Sequence, residues 1–259
     1  MQAKSVTVAL GAAVVLITGP ARAEPDDLVS RPLVLDRNAF DLRLTMAMNV
    51  QPRTAGRPMT LAPDAWWGIT PRVTIGIIHS DASLDQIATS ASFCVRESEN
   101  STCDRMYHGS GIDVRVAVMS GEFAIAPRAR LLIRDLDPFK PAVTLGSMLR
   151  WTRGRFAITS DPYLRLPLAN GALGNRSAMM LPLWLAVQPA AGWALALHTG
   201  VASDLAVMRD GWHPLFAVDV TARITGELDV GAEAGWGSLF GPQADPKRAT
   251  IMVAAAWRG

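Results

Sequence analysis

The 259-residue chain has no apolar run long enough to cross a bilayer as a helix. Its longest, VTVALGAAVVLIT at positions 6–18, has 13 residues, whereas a spanning helix needs about 20. No segment beyond it keeps a helical period over three turns, which argues against a helical bundle. Excess charge is also missing. Lys4 and Arg22 lie in the leader, and without them 23 basic residues balance 23 acidic ones. A neutral chain gives no electrostatic case for nucleic acid as a partner. Lysine is scarce: beyond Lys4 there are only Lys140 and Lys247, so arginine carries the positive charge. Cysteine is limited to Cys94 and Cys103.

Lys4, the apolar run and the Ala21-Arg22-Ala23 site together predict a secretory signal peptide over residues 1–23, cleaved before Glu24. No cysteine lies near that site, so a lipid anchor is not indicated. In an exported chain, Cys94 and Cys103 in CVRESENSTC predict a local disulfide closing about 10 residues, worth ~2.7 kcal/mol in the loop-entropy view. A metal site using Asp104 and His108 beside them is the weaker alternative. No metal and no cofactor is expected.

What recurs in the chain is alternation with period two, in pieces of about 9 to 13 residues bounded by Gly, Pro, Asp or Asn. The first piece covers 38–50. LAPDAWWGITPRVTIGIIHS folds at Thr70-Pro71-Arg72 into two strands, and IDVRVAVMS meets FAIAPRARLLIR at Gly121-Glu122. LGSMLRWTRGRFAITSDPYLRL turns at Arg153-Gly154-Arg155. MMLPLWLAVQ and WALALHTGVA meet over 189–192, LFAVDVTARI and ELDVGAEAGWG at Thr225-Gly226, and ATIMVAAAW closes the chain. The count is twelve. Tight turns alternate with longer links, the longest being 81–110. This is the pattern of an all-β, transmembrane, antiparallel up-and-down barrel with periplasmic turns and extracellular loops. The expected layout is a periplasmic segment over 24–37 and a barrel over 38–259.

Alternation alone does not say which parity faces out. If the apolar parity meets lipid, the lumen receives Asp41, Arg43, Asp64, Asp113, Arg115, Arg128, Arg130, Arg150, Asp161, Arg165, His198, Asp219, Arg223, Asp229 and Glu233. A soluble, lipocalin-like barrel inverts this arrangement. The aromatic residues favour the membrane reading. Trp67, Phe123, Trp151, Phe156, Trp193 and Trp257 all lie on the apolar parity beside a short turn or the last strand's end. Rings with a polar edge collect where lipid headgroups meet hydrocarbon. Strand-end aromatics of a sandwich core are the competing explanation.

The signal peptide, the WGITPRVTIGI and GSMLRWTRGRFAI hairpins and the closing strand resemble bacterial outer-membrane β-barrels. These are loosely similar to the transporters encoded with phenol-degradation pathways. The resemblance implies a monomeric, twelve-stranded barrel inserted by the barrel-assembly machinery and taking up small molecules passively. Such barrels commonly end in an aromatic residue, whereas here Arg258-Gly259 follow Trp257.

Chemistry is harder to find. A lipase needs serine and histidine within hydrogen-bond reach on the outer wall. His79 stands near the outer rim of the third strand, with Ser120 at the opposite end and Ser147 and Ser160 on strands without a histidine. A surface protease would draw on Asp104, His108, Asp135, Asp137, Asp210 and His213, but aspartate is an ordinary turn residue. The expectation is therefore a solute channel, with an ion-paired structural barrel as its rival. In either case a basic wall of Arg128, Arg130, Arg150 and Arg165 is expected to face the acids of strands ten and eleven.

Overall fold

A computed structural model describes residues 28–50, 55–56, 59–79, 93–96, 106–245 and 249–259. The proposed signal peptide, Cys103, Asp104 and most of 81–110 lie outside the described residues.

Fourteen strand segments make one antiparallel sheet: β1 Phe40–Asn49, β2 Met59–Thr70, β3 Val73–Ile78, β4 Phe93–Arg96, β5 Ser110–Val116, β6 Phe123–Leu136, β7 Phe139–Arg153, β8 Phe156–Ser160, β9 Tyr163–Pro167, β10 Ala178–Ala190, β11 Trp193–Asp204, β12 Trp212–Arg223, β13 Leu228–Trp236 and β14 Ala249–Arg258. β1 pairs with both β2 and β14, so the sheet closes on itself. Two of the barrel's staves are interrupted. β8 and β9 are one stave broken at Asp161-Pro162, since both pair with β7 on one side and β10 on the other. Proline lacks the N–H that a ladder needs. The register nevertheless carries through, with Leu149 opposite Ser160 and Gly146 opposite Tyr163. β4 continues the line of β3, pairing with the first residues of β2. The barrel therefore has twelve staves, as the alternation implies.

Orientation follows from exposure. Leu44, Ile77, Leu145, Phe156, Ile158, Leu164, Leu185 and Val218 lie exposed on the outer wall, while Ala124, Ala126, Ala157, Ala202 and Ala217 are buried on the inner one. That removes the inverted, lipocalin-like alternative. The outer surface of leucine, isoleucine and valine would be unstable in water, and only a closed barrel can bring strands into hydrocarbon without unpaired backbone groups. β13, of nine residues, rises about 27 Å along the strand and about 21 Å along the axis at a tilt of roughly 40°. A bilayer's apolar band of about 25 Å asks for that height.

The six expected aromatic residues are all on the outside, from 36% exposed at Trp151 to 60% at Phe156. Exposed rings also stand at the opposite end, namely Phe139, Phe216, Trp236 and Phe240. Sequence reading missed this second group because the long links hide where each strand stops.

Ahead of β1, in the stretch expected as a periplasmic segment over 24–37, the described residues 28–39 pack inside the turn end of the barrel. Val29 is buried against inward Ala157 and Ala194, with Leu28 and Ala186 beside them. Leu35 packs on Trp66, Ile78 and Leu132. Backbone bonds tie it down: Leu35 N–H donates to Thr74 Oγ1 at 2.7 Å, and Asn38 N–H donates to the Gly68 carbonyl at 2.8 Å. At Gly68 a Cβ would lie 1.8 Å from the Asp36 carbonyl, so only glycine lets the segment come this close. The apolar residues of LVSRPLVL gave no sign of this, because nothing in their spacing says which surface covers them.

Candidate lumen site

Inward charges occur in three groups, drawn from neighbouring and next-but-one strands and, in one group, from the segment ahead of β1. The first surrounds Asp113 on β5, whose side chain is fully buried. It accepts from Arg128 Nε at 2.6 Å, Arg115 Nε at 2.8 Å and the Trp66 indole Nε1 at 2.8 Å, with Arg130 Nε at 3.8 Å. Arg128 and Arg130 also hold Asp161, Arg130 Nη2 at 2.6 Å. Arg115 lies over the Trp66 ring at 4.7 Å and Arg130 over Tyr163 at 4.8 Å. Gly76 leaves room for that indole, since a Cβ there would sit 2.3 Å from the Trp66 ring. Asp161 reaches this group because it keeps the inward parity of Ala157 and Tyr163 through the break between β8 and β9.

The second group joins the seam of the barrel to the inner segment. Asp229 on β13 accepts from Arg31, Nη2 to Oδ1 at 3.0 Å, and from Arg258, while Arg223 lies 3.6 Å away. Arg258 also donates to Asp41 at 2.9 Å, and Arg43 stands 3.9 Å from that carboxylate. Sequence reading passed over Arg31 and met Arg258 only as an irregular ending. The two residues beyond Trp257 in fact complete the seam: Phe40 N–H donates to the Gly259 carbonyl at 2.7 Å, and Gly259 N–H returns to Phe40 at 3.2 Å.

The third group is His198, whose Nδ1 lies 2.7 Å from Glu233 Oε1 and whose ring stacks on Trp184 at 4.2 Å. Asp219 stands directly opposite Glu233 on the neighbouring strand and accepts from Thr221 Oγ1 at 3.2 Å. Three of the expected lumen residues join none of these groups. Asp64 accepts from the backbone N–H of His79. Arg165, 1% exposed, has its Nη2 at 3.5 Å from the Arg176 carbonyl. Arg150, 7% exposed, has no hydrogen bond or ion pair among the described residues, and its Nε is buried without a partner.

The expected basic wall facing acids across the lumen is thus corrected. Arg128 and Arg130 find Asp113 and Asp161 on their own side, because a neighbouring strand is closer than the far wall. Only Arg150 and Arg165 remain as a basic wall. What lies between the groups is open space. A cavity of about 470 Å³ is bounded by Leu28, Arg31, Arg43, Arg150, Trp184 and Asp219, with small residues such as Ala186 and Ala196 between them. A second, of about 430 Å³, lies on the other side of the inner segment and includes Asp41, Arg115 and Arg223. Among the described residues no cluster of three His, Cys, Asp or Glu side chains fits a metal. His79 is held by the Pro63 carbonyl and the Phe93 and Tyr107 rings. Cys94 is not free, and its expected partner lies outside the described residues. The stretch 171–175 carries a short helical turn at Gly171–Leu173. Its last residue, Asn175, is fully buried and donates to the Pro141 and Ala169 carbonyls.

No family model and no curated protein sequence matches the chain. Solved structures do. The KdgM porin is 6% identical over 84% of this chain and 98% of its own, with a TM-score of 0.54. The NanC porin is 7% identical over 83% and 98%, also at 0.54. An outer-membrane channel of Pseudomonas putida F1 is 10% identical over 92% and 100%, at 0.53. The likeness is one of fold.

Proposed function

We propose that the protein is a passive channel for small polar solutes in the outer membrane of a Gram-negative-type bacterium. On this reading the signal peptide directs export, the barrel-assembly machinery inserts the barrel, and Cys94 and Cys103 staple the long extracellular loop. The observation that carries it is the open cavity of about 470 Å³ beside the inner segment, where charged side chains such as Arg150 and Asp219 stand among small residues of the lumen wall. The three similar structures, two porins and a channel, support the same activity. The resemblance of the hairpins to transporters encoded with phenol-degradation pathways supports passive uptake. Among the described residues the acid–histidine pair, Glu233 with His198, lies buried inside the barrel, away from the outer wall where a lipase would act.

One observation favours the rival, an ion-paired structural barrel: the network around Asp113 and the inner segment both fill lumen space. Planar bilayer recordings separate the two. Purified protein is expected to give discrete, small conductance steps, limited by the cavity beside the inner segment. A membrane that stays at background current after insertion, verified by protease protection, would leave the structural barrel standing.

A further inference from the structure

The wall around Arg150 offers it no acid among the described residues. Its cross-strand partners are Ala124 on β6 and Thr159 on β8. Thr152 follows it inward on its own strand, and Ala157 stands opposite Thr152. Asp161, the next inward residue beyond Thr159, is taken up by Arg128 and Arg130. Arg150 is nonetheless buried, with its Nε in no hydrogen bond. A guanidinium taken this far out of water is costly unless a counter-charge reaches it. The cavity that Arg150 borders has the same imbalance. Four arginines, Arg31, Arg43, Arg150 and Arg258, line it against three carboxylates, Asp219, Asp229 and Glu233. Those carboxylates have other partners: Asp229 holds Arg31 and Arg258, Glu233 meets His198, and Arg43 and His198 both act on Asp219.

The counter-charge has to come from the lumen, and the inner segment leads to it. Leu28 borders the same cavity, and Val29 packs on Ala157, one inward position from Thr159, the partner of Arg150. One inward position is about 7 Å along a strand. Asp27 stands two residues ahead of Val29, at most about 7 Å of chain, and the long arginine side chain covers the single strand spacing that remains. Asp36, the acid within 28–39, stands by Gly68 on β2, four staves from β7. Ahead of Leu28 the sequence reads Glu24-Pro25-Asp26-Asp27, with the expected cleavage before Glu24. These four residues lie outside the described ones. With the new amino terminus counted they still carry net negative charge, against a cavity lining with one arginine in excess. We propose that Asp26 and Asp27 dock in this cavity on the Arg150 guanidinium, so that the start of the mature chain supplies the counter-ion that the wall lacks.

The test is a zero-length crosslink in the detergent-solubilised mature barrel carrying Arg150→Lys. A water-soluble carbodiimide joins a carboxylate to an amine in contact with it, taking up the water lost as the amide forms. Lys140, whose Nζ lies 3.1 Å from Asp135, reports in the same sample that the reagent has worked. Peptide mapping is expected to find position 150 joined to Asp26 or Asp27, and to lose that link when Asp26→Asn and Asp27→Asn are added. A link from position 150 to Asp219 or Glu233 instead, or none while Lys140 is joined to Asp135, overturns the proposal. A second measurement keeps the native arginine. Asp26→Asn with Asp27→Asn is expected to lower the urea midpoint of the barrel where Arg150 is present and to leave it unchanged in Arg150→Gln. Equal shifts in both backgrounds, or no shift in either, overturn the docking as well. Neither measurement uses current, so failure here leaves the channel reading standing, and an absence of conductance leaves this docking standing.

Discussion

At the scale of single residues, the inward arginines divide into two kinds that sequence alone treats alike. Arg128 and Arg130 are shared between Asp113 and Asp161, whereas Arg150 has no carboxylate partner among the described residues. Asp113→Asn would leave Arg115, Arg128 and Arg130 facing one another around a neutral amide. Breaking such a buried set by removing one partner costs about 3–5 kcal/mol. Urea unfolding of the refolded barrel in micelles, followed by tryptophan fluorescence, is expected to move to lower denaturant by that amount. An unchanged midpoint would mean that water, not the ion pairs, satisfies those guanidiniums. The residue types and parity of this network were legible in the sequence. Its connectivity was not, because Arg128 and Arg130 reach Asp161 past the intervening β7, and Trp66 joins it from a Trp-Trp pair whose inner member carries no outward signal.

At the scale of elements, the alternation of tight turns and long links gave the order and hand-over of the strands. Twelve staves follow from counting period-two segments, and the break in the seventh follows from a proline. The inner segment was illegible for a physical reason. A short apolar stretch with prolines can pack on any concave surface, and only the closed barrel creates the one it fills. Its position makes a specific prediction. Gly68→Val puts branched carbon atoms where the Asp36 carbonyl lies, so the segment has to leave while β2 remains paired. Single-channel conductance of Gly68→Val is expected to rise, and deletion of residues 28–37 to raise it by a similar amount. If the valine variant conducts as the parent does, the segment does not narrow the path.

At the scale of the whole molecule, one surface decides the solvent. Large apolar side chains are exposed around the barrel, including Leu44, Ile77, Leu145, Leu181 and Val218, with rings at both ends. An area of that kind has no counterpart on a monomer that lives in water. Refolding of residues 24–259 is expected to succeed in detergent or lipid and to give light-scattering aggregates without them. A dispersed, strand-rich chain in plain buffer would reverse the assignment of inside and outside.

The seam closed by Phe40, Gly259 and Arg258 also dictates a timetable. Asp41 and Arg258 stand 217 positions apart, and contacts of such range form slowly. One edge of the first strand must therefore wait, unpaired, until the last strand is there to meet it. During that interval the edge is open to pairing with any other strand.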